Sequence, residues 1–172
     1  PIRILTKKQV LDAVKGLPRS GALHEKGDYF YILVPGYISK LYPLLEERGL
    51  LSGCFDKPKD PEGKAHISVH ANGQGKMHET ELALLKELVG SQQELSFKVS
   101  QDHPVEKFIV HKHHHQTNTW YVLRVKPNFQ PVRDKYSSKQ QLEALGLIEK
   151  YRFHISIAVQ KTHDGKCLDH AE

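Results

Sequence analysis

The sequence predicts an α+β fold in one bilobal domain over residues 1–172: two pseudo-symmetric lobes, each an antiparallel sheet with outer helices, around a central cleft. Three observations lead there. Short aromatic and β-branched runs alternate with amphipathic helical stretches. The pattern apolar–His–apolar–Ser–apolar occurs twice, as Ala65-His66-Ile67-Ser68-Val69 and Phe153-His154-Ile155-Ser156-Ile157. Each copy also closes a stretch with the same order of strand, helix and connection.

The elements follow from local signals. Thr6 caps a helix running to about Lys15, with Val10, Leu11 and Val14 on one face. Gly16, Pro18 and Gly21 mark a loop. Tyr29 to Val34 is a strand, ended by Pro35-Gly36. Ile38, Leu41, Leu44 and Leu45 have helical spacing, with a kink or break expected at Pro43 and a stop at Gly49. Ser52 to Gly63 is a polar loop, Lys64 to His70 the first motif strand, and Asn72-Gly73-Gln74-Gly75 a turn that carries Lys76 toward the cleft rim. Leu82, Leu84, Leu85, Leu88 and Val89 make an amphipathic helix stopped by Gly90. Leu95–Val99, Lys107–Val110 and Trp120–Val125 are strands, and Asn128–Lys135 is a loop. Ser137 or Ser138 caps a helix that ends at Gly146, and Arg152 to Gln160 is the second motif strand. The last dozen residues are expected to be loose.

Composition narrows the class. At 172 residues the chain is long enough for a real core, and its formal charge of +5 is compatible with a phosphate-bearing ligand. No apolar run approaches a membrane span, so no membrane partner is expected, and Pro1-Ile2-Arg3 does not open a signal peptide. Cys54 and Cys167 have no metal-type spacing and make no disulfide framework, which points to the cytoplasm or another reducing intracellular compartment. A monomer is expected.

In a strand, alternate side chains share a face. His66 and Ser68 therefore face one way while Ile67 and Val69 bury the other side, and His154 and Ser156 repeat the arrangement. Paired across a cleft, the two copies supply the groups that displacement at phosphorus needs. Histidine, with a pKa near neutrality, can accept a proton from the nucleophile or give one to the leaving oxygen. Ser68 and Ser156 are donors for phosphoryl oxygens that gain charge in the transition state. Lys64 and Arg152, two residues before each His, would add positive charge. A single His-x-Ser in a strand is ordinary, and the competing reading of either copy is the polar outer face of a strand. Two copies at the ends of matching halves favour a site.

The doubled motif, carried by His66, Ser68, His154 and Ser156, resembles the two-histidine (2H) phosphoesterase superfamily, which includes RNA-ligase-like cyclic phosphodiesterases. Both hydroxyls are Ser where that family more often has Thr. The resemblance spans Tyr29 to Gln160 and implies a metal-independent phosphodiesterase, without cofactors, that acts on 2′,3′-cyclic phosphates or 2′-5′ phosphodiesters of RNA or nucleotides. Some members of the family bind nucleotides without turnover, so a non-catalytic nucleotide- or RNA-binding module is the alternative.

Three weaker features remain. His70 shares the face of His66 if its strand continues, where it would touch substrate or be solvated. Tyr31, or Tyr29 beside it, is a candidate for stacking on a base, against a reading as core; Trp120 is read as core. His111, His113 and His115 would share a face if extended, a pattern that suits zinc, copper or nickel. A solvated loop or strand edge is the favoured reading of that run, and no metal site is assigned.

Overall fold

A computed structural model of the chain describes residues 5–27, 29–59, 64–70, 79–102 and 104–168. The expected turn at residues 72–75, with Lys76, lies outside them, as do the side chain of His70 and all of His103.

The first half holds α1 (Lys7–Ala13), β1 (Ser20–Lys26), β2 (Tyr29–Leu33), α2 (Tyr37–Glu47), β3 (Phe55–Asp56) and β4 (His66–His70). Then come α3 (Glu79–Gly90), β5 (Glu94–Val99), β6 (Val105–His111), β7 (Gln116–Pro127), α4 (Gln130–Lys135), α5 (Lys139–Glu149), β8 (His154–His163) and β9 (Lys166–Cys167). The protein is α+β, and among the described residues all nine strands join one antiparallel sheet, in the order β3-β8-β4-β2-β1-β5-β7-β6 with β9 beside β8. β8 also pairs with β7, so the path from β8 through β4, β2, β1 and β5 to β7 closes on itself. In place of the two separate sheets expected there is one, in which strands of the first half meet strands of the second at β4–β8, β3–β8 and β1–β5.

The expected capping signals operate. Thr6 forms a capping box with Gln9, and the Ser138 hydroxyl accepts from the Gln141 amide at the start of α5. Several other expectations are corrected. α2 runs through Pro43 without a break, because Tyr37, Leu41 and Leu45 on its inner face are fully buried and their burial outweighs the backbone bond that proline removes. α5 runs through Gly146 to Glu149, held down by Leu145 and Ile148. Residues 130–135, read as loop, form α4 over the buried Val132.

β1 occupies the stretch around Gly21, where the sequence predicts a loop. A Cβ at Gly21 would lie 2.7 Å from both Ile32 Cγ2 and the Leu33 carbonyl oxygen, so glycine is there to admit β2 rather than to make a turn. Near the end of the chain, β9 pairs with β8, and a disulfide joins Cys167 to Cys54 with Cα atoms 5.7 Å apart. The end expected to be loose is therefore anchored as far as Leu168, and the cysteines expected to make no framework brace the segment that leads into β3.

One core unites both halves. Leu41, Leu45, Leu85, Leu88, Leu145 and Ile148 from the helices pack with Ile67, Val69, Ile155 and Ile157 from the motif strands. Alternation then turns the His and Ser side chains to the opposite face, as expected.

Candidate functional site

The motif strands are adjacent and antiparallel, and Ile67 is the register partner of Ile155. Counting one step each way sets His66 beside Ser156 and Ser68 beside His154. The two histidines are diagonal neighbours on one face, a relation that separates backbone positions by roughly 7–8 Å and side-chain origins by somewhat less, room enough to admit a phosphoryl group. All four side chains are half-buried and line one cleft of about 760 Å³.

The flanking strands repeat the symmetry. On β2, Leu33 lies opposite His66 and Tyr31 opposite Ser68, with a register shift between Phe30 and Tyr31. On β7, Arg124 lies opposite His154 and Val122 opposite Ser156, with a shift between Tyr121 and Val122. The irregularity falls at the equivalent step in both halves. Tyr29 and Trp120, two residues before the partners of the serines, are therefore equivalent positions. So are Lys26 and Phe108, their cross-strand neighbours on β1 and β6. These four line the cleft as well.

Each imidazole is held in the same way. His66 Nδ1 lies 3.1 Å from the Lys64 carbonyl oxygen, and His154 Nδ1 lies 3.2 Å from that of Arg152. A carbonyl oxygen only accepts, so Nδ1–H donates in both rings, and Nε2 is the nitrogen that exchanges a proton. Burial pushes the His154 pKa below its ordinary 6.5; the hydrogen bond to the Arg152 carbonyl opposes this, and the positive charges of Arg124, His66 and Arg152 add to it. His154 is thus neutral at neutral pH, with Nε2 available as a base.

The remaining expected residues divide. Lys64 and Arg152 act through their carbonyls, and neither side chain lines the cleft. The Arg152 side chain is 74% exposed and lies 3.6 Å from Glu106, which also takes Arg124 at 2.8 Å. Tyr31 is buried, stacked between His24 and Tyr29 at 5.6 and 5.2 Å, with its ring 6.3 Å from that of His66. It backs the cleft instead of lining it. His70 continues β4 opposite Phe30.

Of the two tyrosines the sequence offered, Tyr29 is the one at the cleft: its hydroxyl lies 2.7 Å from Ser68 Oγ, and its ring meets His66 edge-on at 6.2 Å. Phe108 stands against His154 in the same way, at 5.9 Å. Trp120, read as core, lines the cleft, as do Lys26, Lys57, Lys59 and Lys161. Alternation along residues 29–33 alone could not separate Tyr29 from Tyr31, because both sit on the same side of β2.

The histidine run is not extended. His111 ends β6, and His114 and His115 both take φ of 59° in the turn to β7. Their side chains are exposed, and among the described residues no group of three His, Cys, Asp or Glu side chains is placed to hold a metal ion. No family model, curated protein or solved structure matches the chain.

Proposed function

We propose that the protein is a metal-independent phosphodiesterase that hydrolyses a 2′,3′-cyclic phosphate or 2′-5′ phosphodiester of RNA or nucleotides by two-histidine acid–base catalysis. The observation that carries this reading is the Ile67–Ile155 pairing, which brings both His-x-Ser copies to one cleft face. In the same proposal the two halves work as pseudo-symmetric lobes joined at β4–β8.

In the reaction, His154 Nε2 takes a proton from water as the water oxygen bonds to phosphorus. The bond from phosphorus to the ribose oxygen breaks, and protonated His66 gives its Nε2 proton to that oxygen. The assignment of base and acid rests on the lowered pKa of His154. Ser68 and Ser156 donate to the non-bridging oxygens. If Tyr29 donates to Ser68 Oγ, the serine proton is left to point at the phosphate. The disulfide favours a setting in which thiols are oxidised over the reducing compartment expected from composition.

A second reading is supported by the same tyrosine. If Ser68 instead donates to the Tyr29 hydroxyl, its proton is turned away from charge developing on the phosphate, which suits a nucleotide- or RNA-binding module without turnover.

The test is turnover of a 2′,3′-cyclic-phosphate-ended RNA and of a 2′-5′-linked oligoadenylate with EDTA present. Wild-type turnover should fall by about 10²–10⁴-fold in His66→Ala and His154→Ala. Binding without product would select the second reading. Turnover abolished by EDTA would sink the two-histidine mechanism.

A further inference from the structure

Beyond the histidines, the cleft floor continues across four strands as one row. Phe108 on β6 is the register partner of Trp120 on β7, Trp120 of Val159 on β8, and Val159 of Asp56 on β3. All four line the cleft. Phe108, Trp120 and Val159 make an apolar strip two strand spacings wide, about 10 Å, which begins against His154. Beyond it stand Lys161, two residues after Val159, and Lys57 and Lys59, just after Asp56. Lys57 Nζ sits 5.3 Å over the Tyr42 ring and Lys59 Nζ 3.9 Å from Asp56, contacts that a bound anion can share. The segment bearing both follows Cys54, which the disulfide fixes to β9.

The equivalent positions on the other wall are Lys26 and Tyr29, a cation and a phenol. The pseudo-symmetry of the catalytic groups is therefore broken in what surrounds them. One wall is polar, and the other offers aromatic faces followed by cations. An aromatic strip accepts a planar base by stacking, and cations beyond it accept a further phosphate.

We propose that this wall binds the end of a single-stranded RNA: the terminal base lies on Trp120 and Phe108, and the next phosphate of the chain meets Lys57, Lys59 and Lys161. The proposal rests on the phosphodiesterase reading and narrows its substrate from any cyclic nucleotide to an oligonucleotide end.

Two measurements test it. The first compares kcat/KM for a 2′,3′-cyclic mononucleotide and for a trinucleotide with the same cyclic end. Wild type should prefer the trinucleotide by about tenfold or more, and the ratio should fall toward unity in the combined Lys57→Ala, Lys59→Ala, Lys161→Ala variant. The second uses Trp120, the sole tryptophan of the chain, as a reporter. An unreactive trinucleotide with a 3′-hydroxyl should quench its fluorescence, with affinity about tenfold weaker and less salt-dependent in the triple-lysine variant. Quenching without turnover of any substrate would retain this inference and overturn the catalytic reading. Turnover with equal rates on the two substrates would retain the catalytic reading and overturn this inference, as would a failure of the trinucleotide to quench. A trinucleotide preference that persists in the triple-lysine variant would overturn the lysine assignment.

Discussion

Ile67 and Ile155 are register partners in neighbouring antiparallel strands, and both are fully buried. That single pair sets each histidine beside the serine of the other motif. Under the proposed mechanism such a site is a unit, because a phosphoryl group between the strands would need both imidazoles at once. Single His66→Ala and His154→Ala variants should therefore each lose nearly as much activity as the double variant, because groups that act together are not additive. Steady-state turnover of the three variants checks it; losses that multiply would show that the histidines act independently.

The Tyr29–Ser68 hydrogen bond should be measurable by a double-mutant cycle. Tyr29→Phe keeps the ring against His66 and removes only the hydroxyl. With Ser68→Ala as the second leg, the coupling in transition-state stabilisation should be about 0.5–1.5 kcal/mol, the net worth of one hydrogen bond. Strict additivity would mean that Tyr29 does not orient the serine.

His154 makes a pH prediction. Its folded pKa is lowered from 6.5, so between the folded value and 6.5 the unfolded chain holds more protons. Its contribution to stability is thus complete above 6.5 and is lost as pH falls through the folded value. His154→Asn should flatten the acid side of the stability profile, measured by urea unfolding. In kinetics, the acidic limb of kcat/KM should lie below pH 6.5, and Glu106→Gln should move it further down by unmasking the charges of Arg124 and Arg152. A limb above 6.5 would reject His154 as the base.

The disulfide spans 113 residues of chain. Cys54→Ser and Cys167→Ser should each lower unfolding free energy by about 2–4 kcal/mol, and reduction of the wild type should do the same. Chemical unfolding with and without a thiol reductant reads this. Identical curves would mean that the bridge does not constrain the unfolded chain.

Gly21→Ala should destabilise by about 1–3 kcal/mol, because the new methyl meets the Leu33 carbonyl, which cannot swing aside as a side chain can. Thermal unfolding tests it, with Gly146→Ala as the control. A Cβ at Gly146 meets nothing within 4 Å, and alanine there should stabilise α5.

The sequence by itself determined the motif strands, their buried and cleft-facing sides, and the succession of strand, helix and motif strand that closes each half. Period-two alternation around His66 and His154 and the local caps at Thr6 and Ser138 are properties of neighbouring residues. Tertiary structure decided the rest. Alternation cannot say which strands become neighbours, so the Ile67–Ile155 pairing and the closure of β7 onto β8 were not legible. Nor was β1, because the tight approach that requires Gly21 comes from Leu33 on another strand. The persistence of α2 past Pro43 and of α5 past Gly146 was settled by burial against the sheet, which overrides local propensity. Trp120 moved from expected core to cleft wall for the same reason: an aromatic side chain carries one local signature, and only the strands packed around it decide whether its face meets the core or an open cleft.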